Sequence, residues 1–141
     1  MKKLALSLSL LLVSAAHASV ILESPTVSGS YKREAVFEIN RAEGTAWVNL
    51  KQYVRHHRGR GETYDQVTEH KAQVEGLSFD ANTSTIVLDQ DGALHECATV
   101  VRRGISIFKY DKITPTGCKL SVERESINWR RSKLKVHLIA E

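Results

Sequence analysis

Proline, cysteine and long apolar runs are scarce in this chain of 141 residues. The two prolines, Pro25 and Pro115, fall in an N-terminal approach and in a loop, so neither interrupts a predicted strand. Internal repeats, low-complexity tracts and linker-like stretches are missing, which argues against several domains. Beyond residue 18 no apolar run approaches the roughly 20 residues that span a bilayer, so the mature chain is expected to lack a transmembrane segment.

Catalytic signatures are missing as well. The sequence contains no G-x-S-x-G, H-E-x-x-H or C-x-x-C motif and no P-loop, so no catalytic residue and no cofactor is assigned. His95 is interpreted as a hydrogen-bonded strand residue that shares a face with Cys97. Asp89 and Asp91 resemble a fragment of a calcium loop but lack its closing glutamate, so they are interpreted as a hairpin turn.

The N-terminus has the pattern of a secretory signal. Lys2 and Lys3 precede an apolar run over residues 4–13, and Ala16 and Ala18 form an A-x-A cleavage signal. We expect residues 1–18 to be a signal peptide that directs the protein to a bacterial periplasm or to the medium. The mature chain, residues 19–141, would then be one β-domain. Its net charge falls from +4 to about +2 once the two lysines are removed, and no nucleic-acid partner is expected.

The two cysteines, Cys97 and Cys118, are predicted to form a disulfide, because an even pair in an oxidising compartment is most simply bonded. The alternative, a catalytic thiol, would need a resolving partner or protection.

Alternation of apolar and polar residues dominates the mature sequence and indicates strands. Residues 34–40 and 45–54 form a predicted hairpin around Gly44, and a second hairpin turns at Asp91-Gly92. Further strands are predicted over residues 104–110, 118–125 and 132–140. The expected fold is a mostly antiparallel β-sandwich or small barrel of about seven to eight strands.

Residues 63–75 fit two structures. Tyr64, Val67 and Val74 follow a helical period, and Thr63 with Gln66 resembles a capping box, so a short helix is one interpretation. The same residues also fit a polar edge strand. A strand is favoured because the surrounding pattern is β and the apolar face is thin for a helix.

The most unusual local composition is the basic loop YVRHHRGRGE, residues 53–62. Arginine donates two parallel hydrogen bonds to phosphate or carboxylate, and glycine lets the backbone approach a ligand closely. Trp47 and Tyr53 lie on one face of the incoming strand. Adjacent histidines on a strand point in opposite directions, and flanking arginines repel a cation, so no metal site is assigned. The candidate ligand-binding residues are Arg55, His56, His57, Arg58, Arg60, Trp47 and Tyr53.

The leading functional hypothesis is a non-enzymatic binding module of the bacterial envelope. Its partner would be acidic: a lipopolysaccharide phosphate, a peptidoglycan carboxylate or an acidic protein patch. One alternative is a small envelope enzyme, or an inhibitor of one, that uses His56 or His57 with nearby arginines and Glu62. Another is a structural subunit that assembles through an edge strand. The basic loop would act as a clamp if Arg102, Arg103, Arg130 and Arg131 converge on it. The oligomeric state does not follow from the sequence.

Overall fold

A computed structural model describes residues 19–27, 29–128 and 132–141. The predicted signal peptide lies outside the described residues. Ten strands form two antiparallel sheets, a three-stranded sheet in the order β1-β10-β9 and a seven-stranded sheet in the order β2-β3-β5-β6-β7-β8, in which β4 also pairs with β3. The strands are β1 (Ser19–Pro25), β2 (Ser30–Asn40), β3 (Thr45–His57), β4 (Thr63–Ala72), β5 (Leu77–Asp80), β6 (Thr85–Gln90), β7 (Ala93–Arg103), β8 (Tyr110–Pro115), β9 (Cys118–Ser126) and β10 (Ser132–Ala140).

The predicted fold class is confirmed: the described chain is an antiparallel all-β fold with one disulfide. It has ten strands rather than seven or eight, because the N-terminal approach forms β1 and residues 77–80 form the short β5. Residues 63–72 of the ambiguous segment form the strand β4, and none of residues 63–75 is helical. Within the described ranges the only helical element is the short 3-10 turn Gly59–Gly61, and no helix there could cross a bilayer.

Both predicted hairpins form, and their turn residues have the backbone conformations that such turns require. Asp91 and Gly92, which link β6 to β7, have φ of 54° and 81°. A two-residue type I′ turn needs positive φ at both positions, which aspartate tolerates and glycine adopts freely. Gly44, at φ 69°, closes the turn from β2 to β3 in the same region of backbone space. The residue types at the two turns and the alternation of the flanking strands therefore predict the same two hairpins.

The long strand β3 organises the larger sheet. It pairs with β2 along one edge, while β4 and then β5 follow one another along the other edge. Its 13 residues span about 40 Å at 3.3 Å per step. Because β5, β6 and β7 pair antiparallel in succession, β7 ends near the beginning of β3. The β3–β4 loop and the β7–β8 loop therefore lie at opposite ends of the molecule.

The core lies between the two sheets. Its members are fully or almost fully buried side chains of both, including Val48, Leu50, Ile86 and Leu88 from the larger sheet and Leu134, Val136 and Leu138 from β10. Alternation along β10 places these last three residues on one buried face of the strand. The Cys97–Cys118 disulfide joins β7 to β9 and so links the two sheets covalently.

A buried glutamine also connects the sheets. Gln52 in β3 is 0% exposed. Its side-chain Nε2 donates a hydrogen bond of 3.0 Å to the carbonyl oxygen of Pro25, and its Oε1 accepts one of 2.9 Å from the N–H of Val27. Both polar ends of the side chain are therefore satisfied by the segment that leaves β1, as a buried amide requires.

A β-bulge changes which residues of β7 face the core. Val87 pairs with Glu96 and Ile86 with Ala98, so Cys97 is an extra residue between two ladder pairs. Cys97 and Ala98 are consequently both buried, whereas Val101 is exposed. The sequence predicts that His95 and Cys97 share a face; continued alternation would place Val101 there too, but the bulge shifts the alternation after Cys97.

The predicted strand over residues 104–110 is wrong except at its end. The chain turns at residues 104–109 and resumes as β8 only at Tyr110. The N–H of Phe108 donates to the carbonyl oxygen of Ile105 at 3.0 Å, which closes a tight turn. Alternation without a partner strand does not distinguish a strand from an exposed apolar turn.

Candidate functional site

The basic loop lies at the end of the β3–β4 hairpin, which extends past the last pair that β2 makes with β3, Ser30 with Val54. The register opposes Arg55 to Asp65 and His56 to Tyr64. Because neighbouring strand residues point to opposite sides, these two pairs lie on different faces of the hairpin. The predicted binding residues are thus divided between two surfaces.

On one face Arg55 is held by its neighbours. Its Nε lies 3.2 Å from Asp65 Oδ1, and its Nη2 donates a 3.1 Å hydrogen bond to the hydroxyl of Tyr31. The Tyr31 hydroxyl donates in turn to Asp65 Oδ2 at 2.8 Å. The guanidinium carbon is also 4.5 Å from the centroid of the Tyr31 ring. The positive charge of Arg55 is therefore already neutralised by a carboxylate.

This cluster of Tyr31, Arg55 and Asp65 changes how its members titrate. The hydrogen bond from Tyr31, followed by the one from Arg55, holds the pKa of Asp65 below its usual value. The hydrogen bond to Asp65 raises the pKa of Tyr31, and the same carboxylate raises the pKa of Arg55. The shifts of Asp65 and Arg55 favour the ionised pair at neutral pH, and the shift of Tyr31 favours the protonated phenol that donates to Asp65.

The other face carries an aromatic stack that ends in a cation. The rings of His56 and Tyr64 are stacked with centroids 5.0 Å apart and an interplanar angle of 22°. His56 Nε2 lies 2.8 Å from Gln66 Oε1, within hydrogen-bond distance. The guanidinium carbon of Arg58 lies 4.5 Å from the centre of the Tyr64 ring, in cation–π contact. Tyr64 orients Arg58 without neutralising it.

The turn itself presents one more arginine. Arg60 has φ 70° and ψ 27°, a left-handed conformation, and is followed by Gly61 at φ 75°. The N–H of Arg58 donates to the carbonyl oxygen of Glu62 at 2.7 Å and closes the turn. Arg58 and Arg60 are exposed, and neither has a carboxylate partner among the described residues. His57 is exposed beside them.

The two aromatics assigned from the sequence lie on the same side of β3 as Arg55, but far apart. Trp47 and Tyr53 are six residues apart in the strand, a separation of about 20 Å. Trp47 Nε1 donates to Glu38 Oε1 at 3.2 Å and its ring contacts the ammonium of Lys71. Tyr53 donates to Glu34 Oε2 at 3.0 Å, and this hydrogen bond raises the pKa of the phenol. Both half-buried side chains are engaged within the sheet.

The other basic stretches do not converge on the loop where they are described. Arg102 lies 3.7 Å from Asp111, whose carboxylate also binds Arg41 Nε at 2.8 Å. Arg41 belongs to the turn that precedes β3, so this cluster lies at the end of the sheet opposite the basic loop. Trp129, Arg130 and Arg131 lie outside the described residues.

Side chains for acid–base or metal chemistry are not grouped at this loop. The polar partner of His56 is the amide of Gln66 rather than a carboxylate. His137 and Glu123 approach within 2.9 Å, but on strands of the smaller sheet. Across the described part of the chain no three histidine, cysteine, aspartate or glutamate side chains are placed to hold a metal ion. A groove of about 390 Å³ lies between β2, β8 and β9, and none of the predicted ligand-binding residues lines it.

Sequence reasoning missed Tyr31, Tyr64, Asp65 and Gln66, the residues that orient the basic side chains. The last three follow from the hairpin register once residues 63–72 are recognised as a strand, because a five-residue loop pairs Arg55 with Asp65. Tyr31 gives no such signal, since it lies at a register shift between Ser30 and Lys32.

Comparison of the chain with protein-family models, with curated proteins and with solved structures finds no match.

Proposed function

We propose that the protein is an exported, non-enzymatic interaction module of the bacterial envelope, and that the end of its β3–β4 hairpin binds an acidic partner. The observation that carries this proposal is the contrast among three arginines. Arg55 has its own carboxylate, whereas Arg58 and Arg60 have none within the described residues. A cation that the fold orients but does not neutralise is available to an external anion.

Export is supported by two features. Residues 1–18 have the pattern of a signal peptide. The Cys97–Cys118 disulfide is compatible with an oxidising compartment. A bacterial periplasm or the medium satisfies both, and phosphate and carboxylate groups are abundant in lipopolysaccharide and peptidoglycan.

Binding is favoured over catalysis by the surroundings of the histidines. A general base needs an orienting carboxylate and a concave site for its substrate. His56 instead contacts the amide of Gln66 and the Tyr64 ring, and His57 is exposed at the end of the hairpin. These surroundings suit stacking and anion contact.

The test is an affinity measurement with two charge-matched double variants. Arg58→Gln/Arg60→Gln removes the two unneutralised arginines, and Lys119→Gln/Lys133→Gln removes two exposed cations from the smaller sheet as a control. Binding to purified peptidoglycan sacculi and to purified lipopolysaccharide is measured at low salt. A charge-assisted hydrogen bond contributes about 1.5–3 kcal/mol, so each arginine should account for about tenfold or more in affinity. Equal binding by the two variants would exclude the hairpin end as the site.

Assembly through an edge strand is the second candidate function, because β4 pairs with no described strand other than β3 along its ten residues. Its free edge could accept a strand from another chain. Asp65, Glu69 and Lys71 place charges along that edge, which is how edge strands avoid pairing indiscriminately. Size-exclusion chromatography over a range of concentrations, with Val67→Pro as the variant that interrupts the edge, tests this function; a concentration-independent monomer would exclude self-assembly.

A further inference from the structure

The β7–β8 turn carries the three most exposed large apolar side chains of the described residues. Ile105, Ile107 and Phe108 are 83%, 86% and 77% exposed, and Val101 and Tyr110 flank them at 47% and 58%. An isolated exposed apolar residue is ordinary, but a contiguous group of this kind marks an interaction site. We call residues 105–108 the apolar tip.

The backbone of the apolar tip has a defined conformation. Gly104 has φ 99°, and a Cβ at this position would collide with the carbonyl oxygen of Phe108. The Phe108 N–H bonds to the carbonyl oxygen of Ile105 at 3.0 Å, and Ser106 has φ 55°. The turn therefore holds its isoleucine and phenylalanine side chains outward, away from the core between the sheets.

Cations flank the apolar tip on both sides in the sequence. Between residues 101 and 112 there are four cations, Arg102, Arg103, Lys109 and Lys112, and one carboxylate, Asp111. Asp111 already contacts Arg41 and Arg102. Arg103, Lys109 and Lys112 are exposed and have no carboxylate partner in the described part of the chain. We call these three residues the cationic collar.

We propose that the apolar tip and the cationic collar dock the protein on an anionic phospholipid surface. A convex turn with three projecting apolar side chains fits poorly on a rigid protein surface, which would need a matching pocket, whereas lipid chains deform around it. The collar lies at the depth of the headgroups when the tip enters the acyl boundary, and cations there attract anionic lipids. Neither feature takes part in the proposed anion binding by Arg58 and Arg60, which lie at the opposite end of the molecule.

Vesicle sedimentation with the mature protein tests the tip. Wild type should bind vesicles of phosphatidylcholine mixed with phosphatidylglycerol, and bind vesicles of phosphatidylcholine alone at least tenfold more weakly. Ile107→Ser/Phe108→Ser should weaken binding to the anionic vesicles by about tenfold or more, since it removes two large inserted side chains. The control is Leu94→Ser: Leu94 is 70% exposed but lies near the start of β7, and its loss should change nothing.

A second variant tests the collar. Each cation close to an anionic surface contributes about fivefold to partitioning, so Arg103→Gln/Lys109→Gln/Lys112→Gln should weaken binding by about 100-fold. Raising the salt concentration should reproduce much of this loss in the wild type. Lys119→Gln/Lys133→Gln, which removes two exposed cations from the smaller sheet, should retain full vesicle binding. The triple variant should still bind peptidoglycan sacculi, so failure of either proposal is distinguishable from failure of the other.

Depth of insertion is read from Phe108→Trp, which keeps a large apolar side chain at the tip. Its fluorescence emission should shift to the blue on addition of anionic vesicles, whereas the emission of Leu94→Trp should not move. The proposal is overturned if wild type fails to bind anionic vesicles, if Ile107→Ser/Phe108→Ser binds them normally, or if the tip mediates only self-association in size-exclusion chromatography.

Discussion

Replacing Gln52 with glutamate should make the stability of the protein depend on pH in a new way. In the wild type, Nε2 of the buried side chain donates to Pro25 and Oε1 accepts from Val27. A protonated glutamic acid reproduces both bonds, because its hydroxyl donates to the carbonyl oxygen of Pro25. An ionised carboxylate keeps only the bond from Val27 and turns its second oxygen toward that carbonyl.

The size of the effect follows from the burial of the side chain. Gln52 is 0% exposed, so the charged form of the introduced carboxyl group would lose its hydration, and its folded-state pKa would rise by about 3 units from an unfolded value near 4.3. Because the pKa of this carboxyl group is higher in the folded state than in the unfolded state, the variant has its full stability only below the unfolded-state pKa. This stability is lost as the pH rises through the folded-state pKa. Three units correspond to about 4 kcal/mol lost by pH 8, out of a total of about 5–15 kcal/mol for a typical domain.

Urea unfolding between pH 4 and pH 8 measures this effect, with Gln52→Met as the comparison. The methionine variant leaves the two backbone groups unpaired and should cost about 2–4 kcal/mol at every pH. The difference between Gln52→Glu and wild type should be small near pH 4 and grow steadily to pH 8. A constant difference across this range, or a glutamate variant as stable as wild type at pH 8, would refute the reasoning.

Three further perturbations have defined outcomes. Replacing Cys97 and Cys118 with alanine should lower the free energy of unfolding in urea by about 3 kcal/mol, because the bond closes a loop over a sequence separation of 21 residues; an unchanged midpoint would contradict this. Gly76→Ala should destabilise more than Gly92→Ala in thermal unfolding, because both have positive φ but only at Gly76 would a Cβ collide with the backbone of β6. Above pH 4 the wild type should be more stable than Asp65→Asn, because the Asp65 carboxylate is ionised and paired. This difference should disappear as the pH falls below 3.8 and through the lowered pKa of Asp65. Titration by NMR would locate that pKa.

The sequence predicted the elements whose local signals agree with one another. Residues 34–40 and 45–54 alternate cleanly, and Gly44 allows the turn between them, so this hairpin could be placed without tertiary information. The turn at Asp91-Gly92 could be placed for the same reason. The disulfide followed from the number of cysteines and from the expected compartment.

The remaining features depend on partners that are distant in the sequence. The bulge at Cys97 exists only relative to the opposing strand β6, and strict alternation therefore misplaced Val101. Residues 104–109 have the composition of a strand, but no neighbouring strand pairs with them. At the candidate site the register explains why Arg55 is neutralised while Arg58 is not, and no pattern within the basic loop distinguishes these two arginines.

The pairing of β1 with β10 has a consequence for the order of folding. Ser19 pairs with Ile139 and Pro25 with Lys133, so every ladder contact of β1 joins opposite ends of the described chain. During vectorial synthesis β1 emerges before β10 and stays unpaired until β10 follows, while the consecutive strands β2 and β3 can already pair. Closing such a long loop is slow, and until it closes the apolar face of the larger sheet lacks its cover. The unfinished chain is therefore the form most exposed to aggregation, and a factor that holds β1 until the C-terminal strand arrives would raise the yield.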